Sequence, residues 1–291
     1  MNIGVIGGGS IGLLLSGLLA CEHSITVYVR RKQQKEKINQ HGLLVVGSPH
    51  PIKINALLIE ELKKEDCLIV CVKQNHIASI VPKLVMVDKS TPLVFLQNGM
   101  GHVESLSILK QPIILGVTEH GALRLEDNVV EHTGKGSIKL ASHSSDEEFV
   151  YEFAEKLTQP LFPVSSYKDW SKLLAEKLVI NSVINPLTAL LDFPNGTIVQ
   201  NSFSRKLAKG LCAEAALILG LDPNIQWDRV KEVAKNTEGN ISSMLKDIRE
   251  RRETEIEAIS GYLIKKNNQN HTIPYTSFVY NSIKALELKR G

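Results

Sequence analysis

The sequence has little cysteine, and its four cysteines are not arranged to hold a metal. Cys21, Cys67, Cys71 and Cys212 form no CxxC pair and have no histidines at metal-ligand spacing. Cys67 and Cys71 lie in the apolar run CLIVCVK, where a thiol usually behaves as a small hydrophobic side chain. We therefore expect structural thiols, no metal site and a reducing compartment, the cytoplasm.

Long hydrophobic runs and an excess of one charge are missing as well. No uninterrupted apolar run reaches the roughly 18 residues that a membrane helix needs, and the first apolar stretch begins at Asn2, which leaves no room for a cleavable leader. Basic residues number 34 and acidic residues 31, for a net charge of +3. The densest basic cluster, Arg30-Arg31-Lys32, is followed by glutamines and Glu36, which favours a local anion site over a nucleic-acid track. The sequence thus predicts a cytoplasmic protein that binds neither membranes nor nucleic acid.

Short apolar runs rich in Val and Ile alternate with polar, helix-like stretches as far as about Ser165. The runs are NIGVIG, ITVYV, CLIVCV, PLVFLQ and PIILGV. This alternation predicts a parallel sheet covered by helices on both faces. The segments from Gly42 to Leu58 and from Gly121 to Ala141 instead contain turn residues typical of β-hairpins, which predicts antiparallel strands added at an edge of the sheet.

After Tyr167 the apolar residues recur at helical spacing. Stretches such as KLLAEKLVINSVINPLTALL and RKLAKGLCAEAALILGL satisfy this period, and the last such stretch runs from Tyr275 to Lys289. The sequence therefore predicts an α/β domain over residues 1–165 and an all-helical domain over residues 166–291.

A burst of glycines follows the first predicted strand and satisfies GxGxxG. The motif residues are Gly7, Gly8, Gly9, Ser10, Ile11 and Gly12. In a dinucleotide-binding loop the first glycine makes the tight turn, the second lets the backbone approach the pyrophosphate, and the third lets the helix pack on the strand. A strand precedes the motif, and an amphipathic stretch and a second strand follow it, which is the context that the motif requires. We therefore predict a Rossmann-type dinucleotide-binding domain rather than a plain strand-to-helix turn.

The end of the second strand distinguishes between the two nicotinamide cofactors. An enzyme that uses NAD usually carries Asp or Glu about 20 residues after the glycines, to bind the ribose 2′-hydroxyl. This chain has Arg30-Arg31-Lys32 there. A guanidinium binds a 2′-phosphate through paired hydrogen bonds, whereas a carboxylate repels it. We predict NADP(H) with Arg30 as the main contact; an exposed, basic helix start is the alternative interpretation.

Lys73 and Asn98 each follow another predicted strand, in CVK and LQNGMG. Open α/β sheets bind ligands at the carboxyl ends of their strands, so both side chains are candidate binding residues. Gly99 and Gly101 permit a close backbone approach after Asn98. Asn-Gly is also a common turn, and that alternative stays open.

One helical segment, AEKLVINSVINPLTA, carries polar side chains on an apolar background. Lys177, Asn181 and Asn185 are four residues apart, which places them within about 80 degrees of one another around a helix. An unpaired buried polar group costs about 1 to 3 kcal/mol, so we expect the stripe to face a polar cleft. Hydrogen bonds between helices are the alternative. Pro186 follows directly and is expected to bend the helix.

Two later segments are ambiguous by pattern alone. ENISSML has the composition of a loop in which Asn240, Ser242 and Ser243 cap a helix. The following DIRERRETEIEAI is dense in charge, as solvated helix faces are. Spacing does not distinguish Glu255 from Glu257 within it.

Together these motifs resemble the ketopantoate reductase (2-dehydropantoate 2-reductase) family, among the 6-phosphogluconate-dehydrogenase-like reductases. The resemblance runs the length of the chain, through GGGSIG, VR at Arg30, CVK at Lys73, LQNGMG, KLVINSVINPLTAL, PNG at Asn195, NISSMLKDIR and TEIE. It implies a Rossmann-type domain joined to a helical domain, with NADPH and a 2-oxo acid in the cleft between them. The implied reaction reduces 2-dehydropantoate to (R)-pantoate in pantothenate and coenzyme A biosynthesis.

The resemblance also implies roles for individual residues, with the family's general acid falling on Lys177. Its cofactor-binding positions fall on the glycine loop, Arg30, Lys73, Asn98, Ala122 in HGALR, and Glu255. Its substrate-binding positions fall on Lys177, Asn98, Asn181, Asn185, Asn195 and Ser243, with Asn240 in the same loop. Two other interpretations stay open, a reductase of another branched 2-oxo acid and an NADPH-binding regulator without turnover. The apolar helical half is compatible with a homodimer.

Overall fold

The computed structural model describes residues 1–288, which form two compact units. Unit 1 consists of Met1–Gln97 and His102–Leu173, and unit 2 of Asn98–Gly101 together with the chain from Leu174 onward. Residues 289–291, which the sequence assigns to the helical domain with Lys289 ending its last helix, lie outside the described residues.

Unit 1 is built on an eight-stranded sheet with the strand order β11-β10-β7-β6-β5-β1-β2-β4. A second sheet has the order β3-β9-β8. The strands are β1 (Asn2–Ile6), β2 (Ser24–Val29), β3 (Leu44–Val45), β4 (Asn55–Leu58), β5 (Cys67–Val70), β6 (Leu93–Phe95), β7 (Ile113–Thr118), β8 (Gly121–Glu126), β9 (Val129–Gly134), β10 (Ile138–Ser142) and β11 (Val164–Tyr167). The five apolar runs of the sequence form β1, β2, β5, β6 and β7, and these strands pair in parallel as predicted.

Four α-helices lie between strands of unit 1. They are α1 (Ser10–Leu19), α2 (Lys32–His41), α3 (Ile77–Val85) and α4 (Glu147–Leu157), with short 3₁₀ turns at Ile59–Glu61, Gln74–His76 and Val103–Ile108. Three leucines in a row on α1, Leu13 to Leu15, are fully buried. Their burial fixes the start of α1 against the sheet.

The position of β1 explains where a ligand can bind. From β1 the chain moves outward through β2 to β4, and it then returns to the other side of β1 at β5. Such a reversal of strand order opens a crevice at the carboxyl ends of the strands, where α/β sheets bind ligands. Gly7 follows β1 directly, so the glycine loop lies at this switch point.

The strands in the two segments with hairpin-like turn residues pair only partly in the antiparallel sense. β8 and β9 form an antiparallel pair, and β10 is antiparallel to β7. Between Gly42 and Leu58 the prediction of antiparallel pairing is confirmed only at an isolated bridge between Leu43 and Ile52, because the two strands of this segment pair in parallel, β3 with β9 and β4 with β2. The β2–β4 pairing is parallel because the chain crosses over through α2 between these strands, and such a crossover returns it to the same end of the sheet.

The free edge of the large sheet is covered at one point by a side chain of α2. The Asn39 carboxamide accepts a hydrogen bond from the Ala56 backbone N at 2.8 Å and donates to the Ala56 carbonyl at 2.9 Å. Both backbone groups of Ala56 that face away from β2 are therefore paired.

The division between the units lies further along the chain than the sequence-based boundary after residue 165. β11 contains residues on both sides of that boundary and pairs in parallel with β10. The compact units divide inside α5, between Leu173 and Leu174.

The two cysteines of CLIVCVK flank β5, with Cys67 as its first residue and Cys71 directly after its last, and both are free thiols. Burial raises the pKa of each to about 12, with Asp66 and Glu65 adding to the shift at Cys67. Thiols with such pKa values stay protonated at neutral pH, which agrees with a structural role.

Unit 2 is helical. Its helices are α5 (Trp170–Leu191, which begins in unit 1), α6 (Thr197–Gln200), α7 (Ser202–Leu219), α8 (Pro223–Asn236), α9 (Ser243–Arg249), α10 (Tyr262–Asn267) and α11 (Pro274–Leu288), with a π-helical turn at Glu257–Gly261. Local signals set their ends: Asn201 and Asp222 accept hydrogen bonds from the first amides of α7 and α8, and Gly220 ends α7 with φ = 68°.

α5 is the longest helix and continues through Pro186. By length and composition alone it could cross a membrane, with a mean hydropathy of 1.2 over its most apolar 18 residues, although Glu176 and Lys177 interrupt the apolar run. In the structure 83% of that window is buried. This is the burial of a core helix, so the hydropathy is weak evidence for a membrane span.

Candidate functional site

The glycine loop has the geometry of a tight, ligand-facing turn. Gly7 has φ = +116°, which side-chain-bearing residues rarely adopt. A Cβ atom at Gly12 would lie 1.9 Å from the Gly7 carbonyl oxygen. The first and third glycines of the motif are therefore required by the fold of the loop itself.

The middle glycine is different, because nothing in the described protein requires it. Gly9 is the N-cap of α1 with ordinary φ and ψ of −84° and −172°, and a Cβ atom there would meet nothing within 4 Å. The first turn of α1 has no side-chain cap and no acidic residue. Its amides and the open space at Gly9 fit a pyrophosphate, which needs close backbone approach and a helix N-terminus.

Two residues distant in sequence, Arg124 and Asp127, lie beside this loop. Arg30 is exposed at the end of β2, and the neighbouring Arg31 forms an ion pair with Asp127. Arg124 donates from Nη1 to the Gly8 carbonyl at 3.3 Å, and its backbone N donates to Ser10 Oγ at 3.1 Å. The sequence missed Arg124 and Asp127, because they come from the β8–β9 hairpin. The signal that could have found them is the HGALR segment, of which Arg124 is the last residue, with Asp127 three positions further on.

Lys73 and Ala122 are the remaining cofactor candidates of unit 1. Lys73 is half-buried and precedes the 3₁₀ turn after β5, and the backbone N of its neighbour Val72 lies 3.0 Å from the position of a Cβ on Gly7. Ala122 lies on β8, the strand that also carries Arg124. Both are therefore on elements that adjoin the glycine loop.

In unit 2, three candidate residues form one hydrogen-bonded chain. Asn181 Nδ2 donates to Asn98 Oδ1 at 3.2 Å, and Asn98 Nδ2 donates to Glu255 Oε2 at 2.9 Å. Asn181 is 7% exposed, and Lys177 lies one helical turn before it on α5 and is half-buried. The three segments that carry these residues lie far apart in the sequence and meet here.

Glu255 and Glu257, which spacing did not distinguish, have different surroundings. Glu255 is half-buried and accepts the hydrogen bond from Asn98. Glu257 is exposed and contacts α11, through Tyr280 Oη at 2.8 Å and Lys284 Nζ at 3.2 Å. Only Glu255 contacts the asparagine chain through a hydrogen bond that the structure resolves.

The remaining substrate candidates gather around the NISSM loop. Asn195 is buried; its backbone N donates to the Asn240 carbonyl at 3.0 Å, and its Nδ2 donates to Thr237 Oγ1 at 3.0 Å. Its Oδ1 is also buried, and has no hydrogen-bond partner among residues 1–288. An unpaired buried acceptor of this kind is suited to a ligand donor.

A hydroxyl pair joins α5 to the same loop. Thr188 Oγ1 lies 2.7 Å from Ser242 Oγ, 2.8 Å from the Ile184 carbonyl oxygen and 3.1 Å from the Asn185 carbonyl oxygen. Its single proton is donated within α5, and the hydroxyl of Ser242 can donate to Thr188 Oγ1 in turn. Ser242 is the N-cap of α9, as its sequence predicts, and its Oγ accepts from the Leu245 backbone N at 3.1 Å. Ser243 is exposed at the first position of α9. Asn185 and Ser243 are thus brought to one region of unit 2.

Thr254, directly before Glu255, is anchored to α11. Its backbone N and its Oγ1 each donate to Glu287 Oε1 at 2.8 Å. Burial opposes the charged form of Glu287, but these hydrogen bonds and Lys284 outweigh it and lower its pKa below the usual 4.5. A depressed carboxyl pKa gives stability that is complete above about pH 4.5 and is lost as the pH falls through the folded-state value.

Glu287→Gln is expected to remove this pH-dependent contribution while keeping an acceptor for Thr254. The loss in free energy of unfolding should be largest near pH 6 and should shrink toward about pH 3.5, measured by urea unfolding. Glu232→Gln, at an exposed carboxyl on α8, is the matched control. A loss from Glu287→Gln that is the same at both pH values would contradict the assignment.

Unit 1 is a dinucleotide-binding unit, and unit 2 presents an amine and several carboxamides from α5 and the loops around it. This combination defines a class of protein, the nicotinamide-dependent reductases with a helical second domain. Carboxamides and an amine recognise small, oxygen-rich substrates rather than apolar ones. The class assignment rests on these side chains as well as on the fold.

Comparison with known proteins identifies the family. Residues 3–145 match the family described as "Ketopantoate reductase PanE/ApbA", and residues 169–287 match "Ketopantoate reductase PanE/ApbA C terminal". The 2-dehydropantoate 2-reductase of Bacillus subtilis (strain 168) is 37% identical over 292 residues, which is 99% of this chain and 98% of that protein. The chain belongs to the ketopantoate reductase family.

Solved structures agree with the predicted fold class. The crystal structure of the probable 2-dehydropantoate 2-reductase from Bacillus subtilis has a TM-score of 0.88 at 36% identity and covers 98% of this chain and 100% of that one. A ternary structure of D-mandelate dehydrogenase with NADH and anilino(oxo)acetate has a TM-score of 0.93 at 21% identity, covering 100% and 99%. At that identity the second likeness shows the fold alone. The predicted α/β plus helical architecture is confirmed.

Proposed function

We propose that this protein catalyses the NADPH-dependent reduction of 2-dehydropantoate to (R)-pantoate, a step of pantothenate and coenzyme A biosynthesis. The observation that carries the proposal is the polar stripe of α5, in which Asn181 is hydrogen-bonded to Asn98 and, through it, to Glu255. Family membership at 37% identity over the full chain supports it.

The residues proposed to hold NADPH are those of the glycine loop together with Arg30, Lys73, Asn98, Ala122 and Glu255. Bound NADPH would supply the hydride. The α1 amides and the space at Gly9 support pyrophosphate binding, and the exposed guanidinium of Arg30 supports recognition of the 2′-phosphate.

Lys177 is the proposed general acid. Reduction of a ketone develops negative charge on the carbonyl oxygen, and an ammonium at that oxygen stabilises the charge and then donates the proton. The hydroxyl and carboxylate groups of the substrate would be held by hydrogen bonds to Asn181, Asn185, Asn195, Asn240 and Ser243. The unpaired Oδ1 of Asn195 suits a substrate hydroxyl.

The test is purified protein with NADPH and 2-dehydropantoate, following the absorbance of NADPH. The same assay with a panel of branched 2-oxo acids tests the second candidate, since D-mandelate dehydrogenase shares the fold. Comparable kcat/KM on several acids would favour that broader reductase. Tight NADPH binding without turnover on any acid would favour a regulator.

Arg30→Asp is expected to raise the Kd for NADPH about 100-fold and to leave the Kd for NADH within about threefold, because a carboxylate repels the 2′-phosphate. Fluorescence titration with each cofactor measures both constants. Lys32→Asp is the matched control, since Lys32 is exposed two residues away and pairs only weakly with Glu36, at 3.7 Å. Equal shifts for both cofactors in Arg30→Asp would remove Arg30 from the 2′-phosphate site.

We further propose a cytoplasmic location and a homodimer. Phe203 on α7 and Phe278 on α11 are 77% and 63% exposed, and large exposed apolar side chains of this kind are typical of contact surfaces. Sedimentation equilibrium measures the oligomeric state, and a monomer at micromolar concentration would contradict the dimer.

A further inference from the structure

A group of charged residues beside the glycine loop has no role in the function proposed above. Arg124 contacts the loop at the Gly8 carbonyl, Asp127 is joined to the same carbonyl through Gln34, and Arg31, the residue after Arg30, pairs with Asp127. Arg31 Nη2 pairs with Asp127 Oδ1, and Arg124 Nη1 lies 3.8 Å from the same oxygen. One carboxylate is thus shared by two guanidinium groups.

The turn that carries Asp127 is fixed in place by several contacts. Gln34, which is 4% exposed, donates from Nε2 both to the Gly8 carbonyl at 2.8 Å and to the Asp127 carbonyl at 3.0 Å. Asn128 Nδ2 donates to the Gly42 carbonyl at 2.9 Å. Asp127 is therefore held at a defined distance from the loop, and the position of its carboxylate is a property of the fold.

Both guanidinium groups are only partly occupied by these contacts. Their side chains are 44% exposed for Arg31 and 37% for Arg124, whereas Asp127 is 18% exposed. A guanidinium has five N–H donors, so each can accept a second anionic partner while keeping the first. The open faces of both arginines remain available to an anion that approaches from solvent.

The charge of the group matches a phosphate monoester. Arg30, Arg31 and Arg124 carry three positive charges and Asp127 one negative charge, which leaves a net charge of +2. A phosphate monoester carries a charge of about −1.5 to −2 at pH 7. Arg30 alone supplies one positive charge, so Arg31 and Arg124 supply the charge that brings the group to that of the phosphate.

We propose that Arg31 and Arg124 complete the 2′-phosphate site of the cofactor and that Asp127 is their internal counter-ion, which limits how strongly NADPH is preferred over NADH. The proposal rests on the function given above, because it assumes that NADPH binds at the glycine loop. Arg124 contacts the phosphate directly and joins the hairpin to the loop through the Gly8 carbonyl. Asp127 is a specificity-determining residue that acts through the two arginines.

Asp127→Asn tests the counter-ion. The amide keeps an acceptor for Arg31 and removes one negative charge, so the Kd for NADPH should fall about three- to tenfold while the Kd for NADH changes less than about twofold. Glu126→Gln is the matched control, because Glu126 is adjacent and pairs with Lys37 away from Asp127. Isothermal titration calorimetry measures each constant without turnover.

Arg124→Gln tests the direct contact. It keeps a donor for the Gly8 carbonyl and removes the positive charge, so the Kd for NADPH should rise about tenfold or more, as expected for the loss of one charge-assisted hydrogen bond. The binding of adenosine 2′,5′-bisphosphate should weaken in parallel, whereas the binding of 5′-AMP should not change. Lys37→Gln, which removes a positive charge where α2 meets the hairpin turn, should leave all four ligands unchanged.

The outcomes separate this inference from the function on which it rests. A wild-type protein that binds NADPH no better than NADH overturns both. A wild-type preference for NADPH that neither Asp127→Asn nor Arg124→Gln changes overturns the inference alone. Two further outcomes would assign the group to the structure of the loop and overturn the inference. The first is an equal loss of affinity for NADPH and NADH in Arg124→Gln. The second is a lower thermal midpoint as the only effect of either variant.

Discussion

Lys177→Ala is expected to lower kcat by about three orders of magnitude while the Kd for NADPH stays within about twofold. A positioned general acid contributes about 10² to 10⁴ to the rate, and the lost ammonium would also have stabilised the developing charge on the carbonyl oxygen. Steady-state kinetics with 2-dehydropantoate and a separate NADPH titration measure the two effects.

The control for this variant lies on the same helix. Lys172→Ala removes an exposed lysine from the first turn of α5 and is expected to keep kcat and the thermal midpoint. A Lys177→Ala protein with near-normal turnover would remove Lys177 from the mechanism. A fall in kcat accompanied by an equal loss of NADPH binding would reassign it to the cofactor.

Gly9→Ala is expected to raise the Kd for NADPH about 100-fold without changing the stability of the protein. The new Cβ would have no atom of residues 1–288 within 4 Å, but it would occupy the space through which the pyrophosphate approaches the α1 amides. Losing one or two charge-assisted hydrogen bonds there accounts for an effect of that size. Calorimetric titration measures the affinity, and thermal unfolding without cofactor measures the stability.

Two other glycines make this test specific. Gly12→Ala would force a Cβ to 1.9 Å from the Gly7 carbonyl oxygen, so it should lower stability by about 1 to 3 kcal/mol as well as abolish binding. Gly239→Ala also places a Cβ in open space, in unit 2, and should change neither stability nor cofactor affinity. A Gly9→Ala protein that binds NADPH normally would mean that the pyrophosphate does not approach at Gly9.

The local parts of the fold could be predicted from the sequence. The runs that form β1, β2 and β5 are apolar because both faces of a parallel sheet are buried, and the glycine pattern follows from the geometry of a single turn. Ser242 caps α9 through an interaction within four residues. Each of these features depends on residues that are neighbours in the sequence, so each could be predicted from the sequence.

The non-local parts could not be predicted. Arg124 contacts Gly8 only because a hairpin pairs β8 with β9 and packs it on the glycine loop, and no residue near Gly8 encodes that pairing. Glu255 is distinguished from Glu257 by its hydrogen bond from Asn98, which is 157 residues away. The resemblance named Glu255, but the contact that distinguishes it needed the structure.

The carboxamide of Asn39, hydrogen-bonded to both backbone groups of Ala56, has a consequence outside the chemistry of the active site. A bare outer strand can recruit a strand from another molecule and seed aggregation. At Ala56 the Asn39 side chain occupies the backbone hydrogen-bonding groups that such a strand would use, so these groups are satisfied within the chain. We therefore expect Asn39 to oppose the addition of a foreign strand at Ala56.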